Sequence, residues 1–288
     1  MTLEKPLGGV HLARALALLI SIGLGAGAAA FFLQFGAADG YQMVDGVRAA
    51  LVFITTFWLA WGAMQSVEGL LSARAAPTLL TTPITTRTAI LMPVYNEEPG
   101  AVFARVAAMD DAITRLGLAE HFDFAILSDT QNNHIAAEEE RWFVHLWDDR
   151  QQDRRKAEGK PSRFFYRRRH SNTGRKAGNI QDFFETSGAD YDYALILDAD
   201  SLMGAPTIAE MVRRMQTEPK LGLLQTLPRI TGARSRFGRA MQFAAGFYSP
   251  VFAQGQAAMQ GVTGPFWGHN ALVRVRAFAE SCALPELS

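Results

Sequence analysis

Two aspartates one residue apart, Asp198 and Asp200, close the apolar run Tyr193-Ala-Leu-Ile-Leu197. If that run is a strand, alternate side chains share a face, so the two carboxylates point together and Ala199 points away. Carboxylates held side by side repel unless a cation lies between them. Hard divalent cations take one or two carboxylates and complete their shell with water and substrate phosphates. The pair is thus a candidate site for a metal-bound phosphate or diphosphate; the local alternative is a strand running into an acidic turn, which Asp also favours. Lys176 lies in Thr173-Gly-Arg-Lys-Ala-Gly-Asn179, a glycine-containing loop at an expected helix start. A cation beside free backbone N–H groups suits a phosphate there, although an ordinary basic loop reads the same. The run Arg167-Arg-Arg169 suits diphosphate or anionic headgroups, or a solvated surface. No G-x-G-x-x-G follows the first expected strand and no G-x-x-x-x-G-K-[ST] occurs, which argues against nicotinamide dehydrogenases and P-loop enzymes.

The elements that must position these residues begin near residue 88. Apolar runs predict strands at 88–95, 122–128, 164–166, 193–197 and 221–226. Between them the periodicity predicts helices near 101–117, with Val102, Val106, Met109 and Ile113 on one face, near 134–157, from Lys176, and near 206–216. Such alternation predicts an α/β fold with a mainly parallel sheet covered on both faces. Ligands then bind outside the carboxyl ends of the strands. Tyr95, Asn96 and Glu97 follow the first strand, Ser128 and Asp129 end the second, and Asp198 and Asp200 end the fourth, so the pattern predicts one site on one edge. The segment 237–260 is apolar and aromatic, with Phe243, Phe247, Tyr248 and Phe252, and is interrupted by Pro250. It reads as a buried core helix in preference to an interfacial one.

Upstream, residues 15–38 and 49–67 carry no charge. About 20 such residues span a hydrocarbon core, so the two runs predict a transmembrane hairpin with helices at about 12–35 and 49–70. A buried core helix is the alternative for the second run. Lys5, Arg14 and Ala28-Ala-Ala30 have the look of a signal peptide, but the apolar stretch continues through Phe31-Phe-Leu33 and a second span follows. Lys5 and Arg14 before the hairpin, Arg74 and Arg87 after it, and the acidic loop with Tyr41, Asp39 and Asp45 put both ends in the cytosol. The expected division is a hairpin at 1–74, a Thr- and Pro-rich linker at 75–87 and a cytosolic domain at 88–288. Basic and acidic residues number 28 each, so net charge gives no argument for nucleic acid. The single cysteine, Cys282, excludes an internal disulfide framework and a cysteine-based zinc site.

The stretches Leu91-Met-Pro-Val-Tyr-Asn-Glu-Glu98, the Ser128-Asp129 strand end, Lys176-Ala-Gly-Asn179 and Asp198-Ala-Asp200 resemble, in order and spacing, the processive family-two glycosyltransferases of cellulose-synthase type. Leu127-Ser-Asp-Thr130, the run from Tyr166 to Asn179 and Gly264-Pro-Phe-Trp-Gly-His-Asn270 are similar, more narrowly, to the branch that builds osmoregulated periplasmic glucans at the bacterial inner membrane. The resemblance implies a GT-A fold, a Rossmann-like nucleotide-diphospho-sugar transferase sheet. It also implies inverting transfer of glucose from UDP-glucose to a growing β-glucan with Mg2+ or Mn2+, an arrangement that is multi-pass with the catalytic domain cytosolic, and membrane lipid and a periplasmic glucan-processing protein as partners. Pro93, Tyr95, Asn96 and Glu97 would line the uridine pocket and Asp129 would lie against uracil. Lys176 would approach the diphosphate, Asp198 would face ribose and metal, and Asp200 would be the more direct metal ligand. Trp267, His269 and Asn270 would meet the acceptor sugar. The family's catalytic base lies in an acidic motif expected beyond Ser288, followed by Gln-x-x-Arg-Trp and further membrane helices. The sequence is therefore expected to be an amino-terminal piece, inactive in transfer as it stands. Cellulose, chitin or hyaluronan synthases, and a membrane-tethered nucleotide-sugar sensor without transfer activity, remain open at this point.

Overall fold

The structure, a computed structural model, describes residues 7–36, 40–72, 78–154 and 160–281. The roles assigned above to Lys5, Asp39, Arg74, residues 75–77, the end of the helix expected at 134–157, Cys282 and Ser288 lie outside the described residues. In chain order the elements are α1 (Leu7–Gly36), α2 (Met43–Leu71), β1 (Thr88–Val94), α3 (Pro99–Arg115), β2 (Phe122–Ser128), α4 (Asn133–Arg154), β3 (Arg163–Arg168) and α5 (Arg175–Ser187). They continue with β4 (Tyr193–Ile196), α6 (Ala205–Thr217), β5 (Leu223–Gln225), α7 (Arg236–Phe247), α8 (Ser249–Gln260), β6 (Ala271–Arg274) and α9 (Val275–Ser281). The chain forms two compact units, one from α1, α2, α7 and α8, the other from the sheet and its helices.

In the helical unit, Gly9–Gly36 and Met43–Leu71 are long and apolar enough to cross a membrane, with mean hydropathy 2.3 and 1.5. Helix α2 opens on a reciprocal cap: the Gln42 N–H donates to Asp45 Oδ2 at 3.0 Å, and Arg48 pairs with Asp45 at 3.2 Å. Asp45, placed in the loop by the sequence reading, therefore belongs to the first turn of α2. Helix α8 lies against α2 with backbones touching. A methyl group on Gly255 would stand 1.7 Å from the Gln65 carbonyl oxygen, and one on Gly69 would stand 2.0 Å from that of Val251. Arg14 donates to the carbonyl of Gln260 at 2.8 Å and to Thr263 Oγ1 at 3.1 Å, binding α1 to the end of α8. The core-helix reading of 237–260 is corrected. The segment breaks at Tyr248 into two helices, Pro250 sits in the first turn of α8, and α7 buries none of its residues. Apolar composition marks a face that avoids water; it does not say that protein covers it.

The sheet has the order β3-β2-β1-β4-β6-β5. Strands β2 and β4 both pair with β1 in parallel and β3 extends β2 in parallel, whereas β6 is antiparallel to β4 and β5. The sequence reading supplied every strand except β6. Along β1, Ile90, Met92 and Val94 enter one core with Val102, Val106 and Met109 of α3 and Ile208, Val212 and Met215 of α6. Ala89 and Leu91 enter the other with Ile180 and Phe183 of α5. Both faces of the central strands are thus covered, and their carboxyl edge is left for chemistry. Residues 78–87, expected as linker, are laid along α6: Leu80 N–H donates to Glu210 at 3.0 Å and Gln216 amide to the Pro83 carbonyl at 3.0 Å.

Candidate functional site

The chain leaves β1, crosses outward to β2 and β3, then returns to place β4 on the other side of β1. That reversal makes the carboxyl ends of β1 and β4 a switch point, where the outgoing loops diverge and leave a crevice. A cavity of about 840 Å3 opens there, lined by Pro93, Val94, Tyr95, Glu97, Asp129, Asn172, Arg175, Lys176, Asp198, Ala199 and Asp200. Of the donor-site residues expected from the sequence it gathers all but Asn96. Asn172 and Arg175 were missed; Arg175 lies in the loop singled out around Lys176 and Asn172 directly precedes it, which was the available signal.

Asp198 and Asp200 reach the cavity by a different route from the one expected. β4 ends at Ile196, so the two aspartates do not alternate along a strand. They sit in a turn closed by the Ser201 N–H to the Asp198 carbonyl at 2.9 Å and held by Arg105 on the Ala199 carbonyl at 3.1 Å. Ala199 points into the core, 7% exposed, and leaves both carboxylates on the cavity side. The acidic-turn reading therefore holds for this stretch, and the turn sets both aspartates at the cavity.

Lys176 stands in the first turn of α5. Gly174 caps the helix with φ of 67° and without a side-chain cap. A methyl group at Gly178 would stand 2.2 Å from the Thr173 carbonyl oxygen, so the loop folds onto the helix only with glycine there. Lys176 Nζ donates to Asp198 Oδ1 and, at 2.9 Å, to the carbonyl of Gly268. His269 Nδ1 lies 3.9 Å from Asp198 Oδ2, and the Asn270 amide lies 3.2 Å from that ring nitrogen. Trp267, His269 and Asn270 do not line the cavity, but the segment carrying them is tied to it through Lys176 and Asp198.

Asp129, 5% exposed, accepts a two-point fork from Arg169, Nε to Oδ1 at 2.6 Å and Nη2 to Oδ2 at 2.8 Å. Arg169 also holds Asp182 at 2.9 Å, and the hydrogen bonds to Asp129 raise its pKa above the ordinary arginine value. Arg167 donates to Asn179 Oδ1 at 2.6 Å and Arg168 to the Thr130 carbonyl at 3.0 Å. Burial lowers the Arg167 pKa. The arginine run therefore braces loops from within, a correction to both the anion-binding and the solvated readings. Behind Asp129, buried Glu139 of α4 accepts from Ser128 at 2.6 Å, Thr130 at 2.6 Å and Tyr166 at 2.9 Å. Burial and then the Glu139 charge raise the Tyr166 pKa, keeping it a donor. Thr130 Oγ1 accepts from the Asn96 N–H at 2.9 Å, and Asn96, at φ 59°, accepts the Asn132 N–H at 3.1 Å. Asn96 joins the loops after β1 and β2; it does not face the cavity.

Residues 125–281, more than half of the chain, match the family described as Glycosyl transferase family 2. The protein from Cereibacter sphaeroides named glucans biosynthesis glucosyltransferase H is 55% identical over 291 residues, covering 100% of this chain and 48% of that protein. One of the same name from Shewanella oneidensis is 41% identical over 251 residues, 86% of this chain and 33% of that one. The chain thus spans about half the length, or less, of the curated relatives it matches. Among solved structures, the mannosyltransferase PcManGT from Pyrobaculum calidifontis, in complex with GDP-Man and Mn2+, aligns at TM-score 0.48 and 13% identity, over 78% of this chain and 55% of that one. The mixed sheet with helices on both faces is GT-A-like, and the chain belongs to glycosyl transferase family 2.

Proposed function

We propose that the sheet unit binds UDP-glucose and serves inverting transfer of its glucose to the growing β-glucan backbone of osmoregulated periplasmic glucans, at the bacterial inner membrane. The observation that carries this reading is the cavity at the β1–β4 switch point, where two carboxylates, Lys176 and Asp129 converge. The names of the relatives support glucose and glucan as the sugar and product classes.

Each wall has a task in this reading. Both oxygens of Asp129 already accept from Arg169, and each retains a lone pair for an N–H of the base. Tyr95, half exposed, offers a ring face beside it. Lys176 uses two of its three N–H donors on Asp198 and Gly268, which leaves one for a phosphate oxygen. Arg175 and the uncapped first turn of α5 add positive potential next to it. Asp198 and Asp200 fit a divalent cation, Mg2+ or Mn2+. Among the described residues no group of three metal-ligating side chains occurs, as suits an ion completed by substrate phosphates and water instead of an all-protein cage. When bound, such an ion neutralises charge on the departing diphosphate. The acceptor hydroxyl is deprotonated by a general base and attacks the anomeric carbon from the face opposite the diphosphate, through a transition state with oxocarbenium character. No described residue is assigned as that base; the described residues supply the donor half. Trp267, His269 and Asn270 border the acceptor side, and the Gly268 carbonyl couples their position to Lys176.

The two long apolar helices support placement in the membrane, and Arg14 and Arg87 against Asp45 support a cytosolic sheet unit. The test is incorporation of label from UDP-glucose into polymer by the full-length protein in membranes. Polymer from UDP-glucose is the expected result; turnover of another UDP-sugar alone, or of none, overturns the assignment.

A further inference from the structure

Between Glu218 and Glu280 the sequence holds no acidic residue, and within that stretch Arg229, Arg234, Arg236 and Arg239 fall in and just before α7. Among the described residues none of these four guanidinium groups has a hydrogen-bond or ion-pair partner, and all four residues are exposed. Beside them Phe237, Ala240, Met241, Ala244 and Phe247 recur at helical spacing, with Phe243 at the edge of the same face. Phe237, Phe243 and Phe247 are 77%, 74% and 77% exposed, and the rings of Phe243 and Phe247 stack with centroids 6.1 Å apart. Three phenylalanines on one uncovered face, flanked by unpaired arginines, make a surface that water solvates poorly and that acidic partners attract.

The helical unit fixes the level of this surface. Ser66 Oγ lies 3.1 Å from the Tyr248 hydroxyl, Gln254 donates to the Ser72 carbonyl at 3.0 Å, and Gly69 meets the α8 backbone. The junction of α7 and α8 is therefore pinned beside the last two turns of α2, where its uncharged run 49–67 ends at Glu68.

We infer that α7 is an anionic-lipid-binding interfacial helix: Phe237, Phe243 and Phe247 enter the headgroup–acyl boundary while Arg229, Arg234, Arg236 and Arg239 take the phosphates of acidic phospholipids. The occupant is the bilayer, by charge complementarity and by continuity with two helices apolar enough to span it. The inference rests on the membrane placement of α1 and α2 proposed above and not on the donor chemistry. Aromatic rings with arginines at their margin bind this boundary, and each arginine near an acidic leaflet strengthens partitioning by about fivefold.

The test places a fluorophore at Phe243→Cys in a Cys282→Ser background, in nanodiscs carrying a lipid-borne quencher, with Leu59→Cys in mid-span as reference; Leu59 is 72% exposed. Expected is quenching at both positions, stronger at 243 in phosphatidylglycerol discs than in phosphatidylcholine discs. The Arg234→Gln, Arg236→Gln, Arg239→Gln variant should abolish that difference, with quenching at 59 and the circular dichroism unchanged. Quenching at 59 with none at 243 overturns the inference alone, including the case of a blue-shifted probe that reports a protein partner. Quenching at neither overturns the membrane placement with it. Equal quenching at 243 in both lipids overturns the anionic preference.

Discussion

At the residue scale the proposed donor site depends on how few free hydrogen-bonding positions its charged groups retain. Lys176 Nζ has one N–H left after Asp198 and Gly268, and a charge-assisted bond of that kind contributes about 1.5–3 kcal/mol. Lys176→Met should weaken UDP binding by about ten- to a hundredfold in titration calorimetry with little change in melting temperature. A second residue-scale prediction lies at the opposite end of the strands. Asp123 of β2, 4% exposed, accepts from Arg87, from Arg163 at 2.8 Å and from Tyr191 at 3.0 Å, drawing β1, β2 and β3 together. Burial works to raise its pKa, but the hydrogen bonds from Arg163 and Tyr191 outweigh that and hold it below the ordinary aspartate value. Burial and the Asp123 charge push the Tyr191 pKa up to about 12. Asp123→Asn should cost about 3 kcal/mol, the low end for buried pairs because both guanidiniums remain partly exposed. A lowered carboxyl pKa stabilises the fold above its unfolded value near ~4 and loses that contribution as pH falls through the folded value. The stability gap between wild type and Asp123→Asn in urea melts should therefore be full at neutral pH and close below pH ~4. A gap that persists in acid contradicts the assignment.

At the element scale, the start of α5 shows where a local rule reverses sign. Gly→Ala in a helix ordinarily stabilises by up to about 1 kcal/mol. At Gly178 the added methyl group would meet a backbone oxygen at 2.2 Å, which no side-chain rotation relieves. Gly178→Ala should destabilise the loop of Lys176 and lower UDP affinity with it, whereas Gly62→Ala in α2, with nothing within 4 Å, should be neutral or stabilising in the same melts. The alternation of apolar runs made β1 to β5 and the helices between them readable, most clearly in β1, β2 and β4, where every residue is buried. Strand β6 was not readable: Ala271–Arg274 is four residues long, and its place between β4 and β5 is set by pairing distant in sequence. The turn at Asp198 was foreseen as an alternative but not chosen, since Leu197 is as apolar as the strand before it and nothing local shows where pairing with β1 stops. Asn96 was assigned to the pocket by resemblance; its backbone at positive φ turns it instead toward Thr130 and Asn132. The two helices of 237–260 were misassigned to the core for the reason already given: hydrophobicity does not name the covering phase.

At the scale of the whole molecule the chain is two units with separate physics. One is a pair of long apolar helices with α7 and α8 added; the other is a two-faced sheet whose polar loops converge at one edge. The sheet unit's binding chemistry should thus survive changes in the helical unit that leave its own loops intact. Gly255→Leu, which forces α8 off α2, should lower the melting temperature of the helical unit while leaving UDP affinity unchanged. The central claim is that the Asp198–Asp200 turn holds a nucleoside diphosphate through a divalent cation. It is tested most directly by titrating UDP into the protein with Mg2+ or Mn2+, with chelator, and with Asp200→Ala. Binding that requires the cation and falls by at least about tenfold in Asp200→Ala is the predicted result. Equal affinity in chelator, or in Asp200→Ala with the cation present, would contradict it.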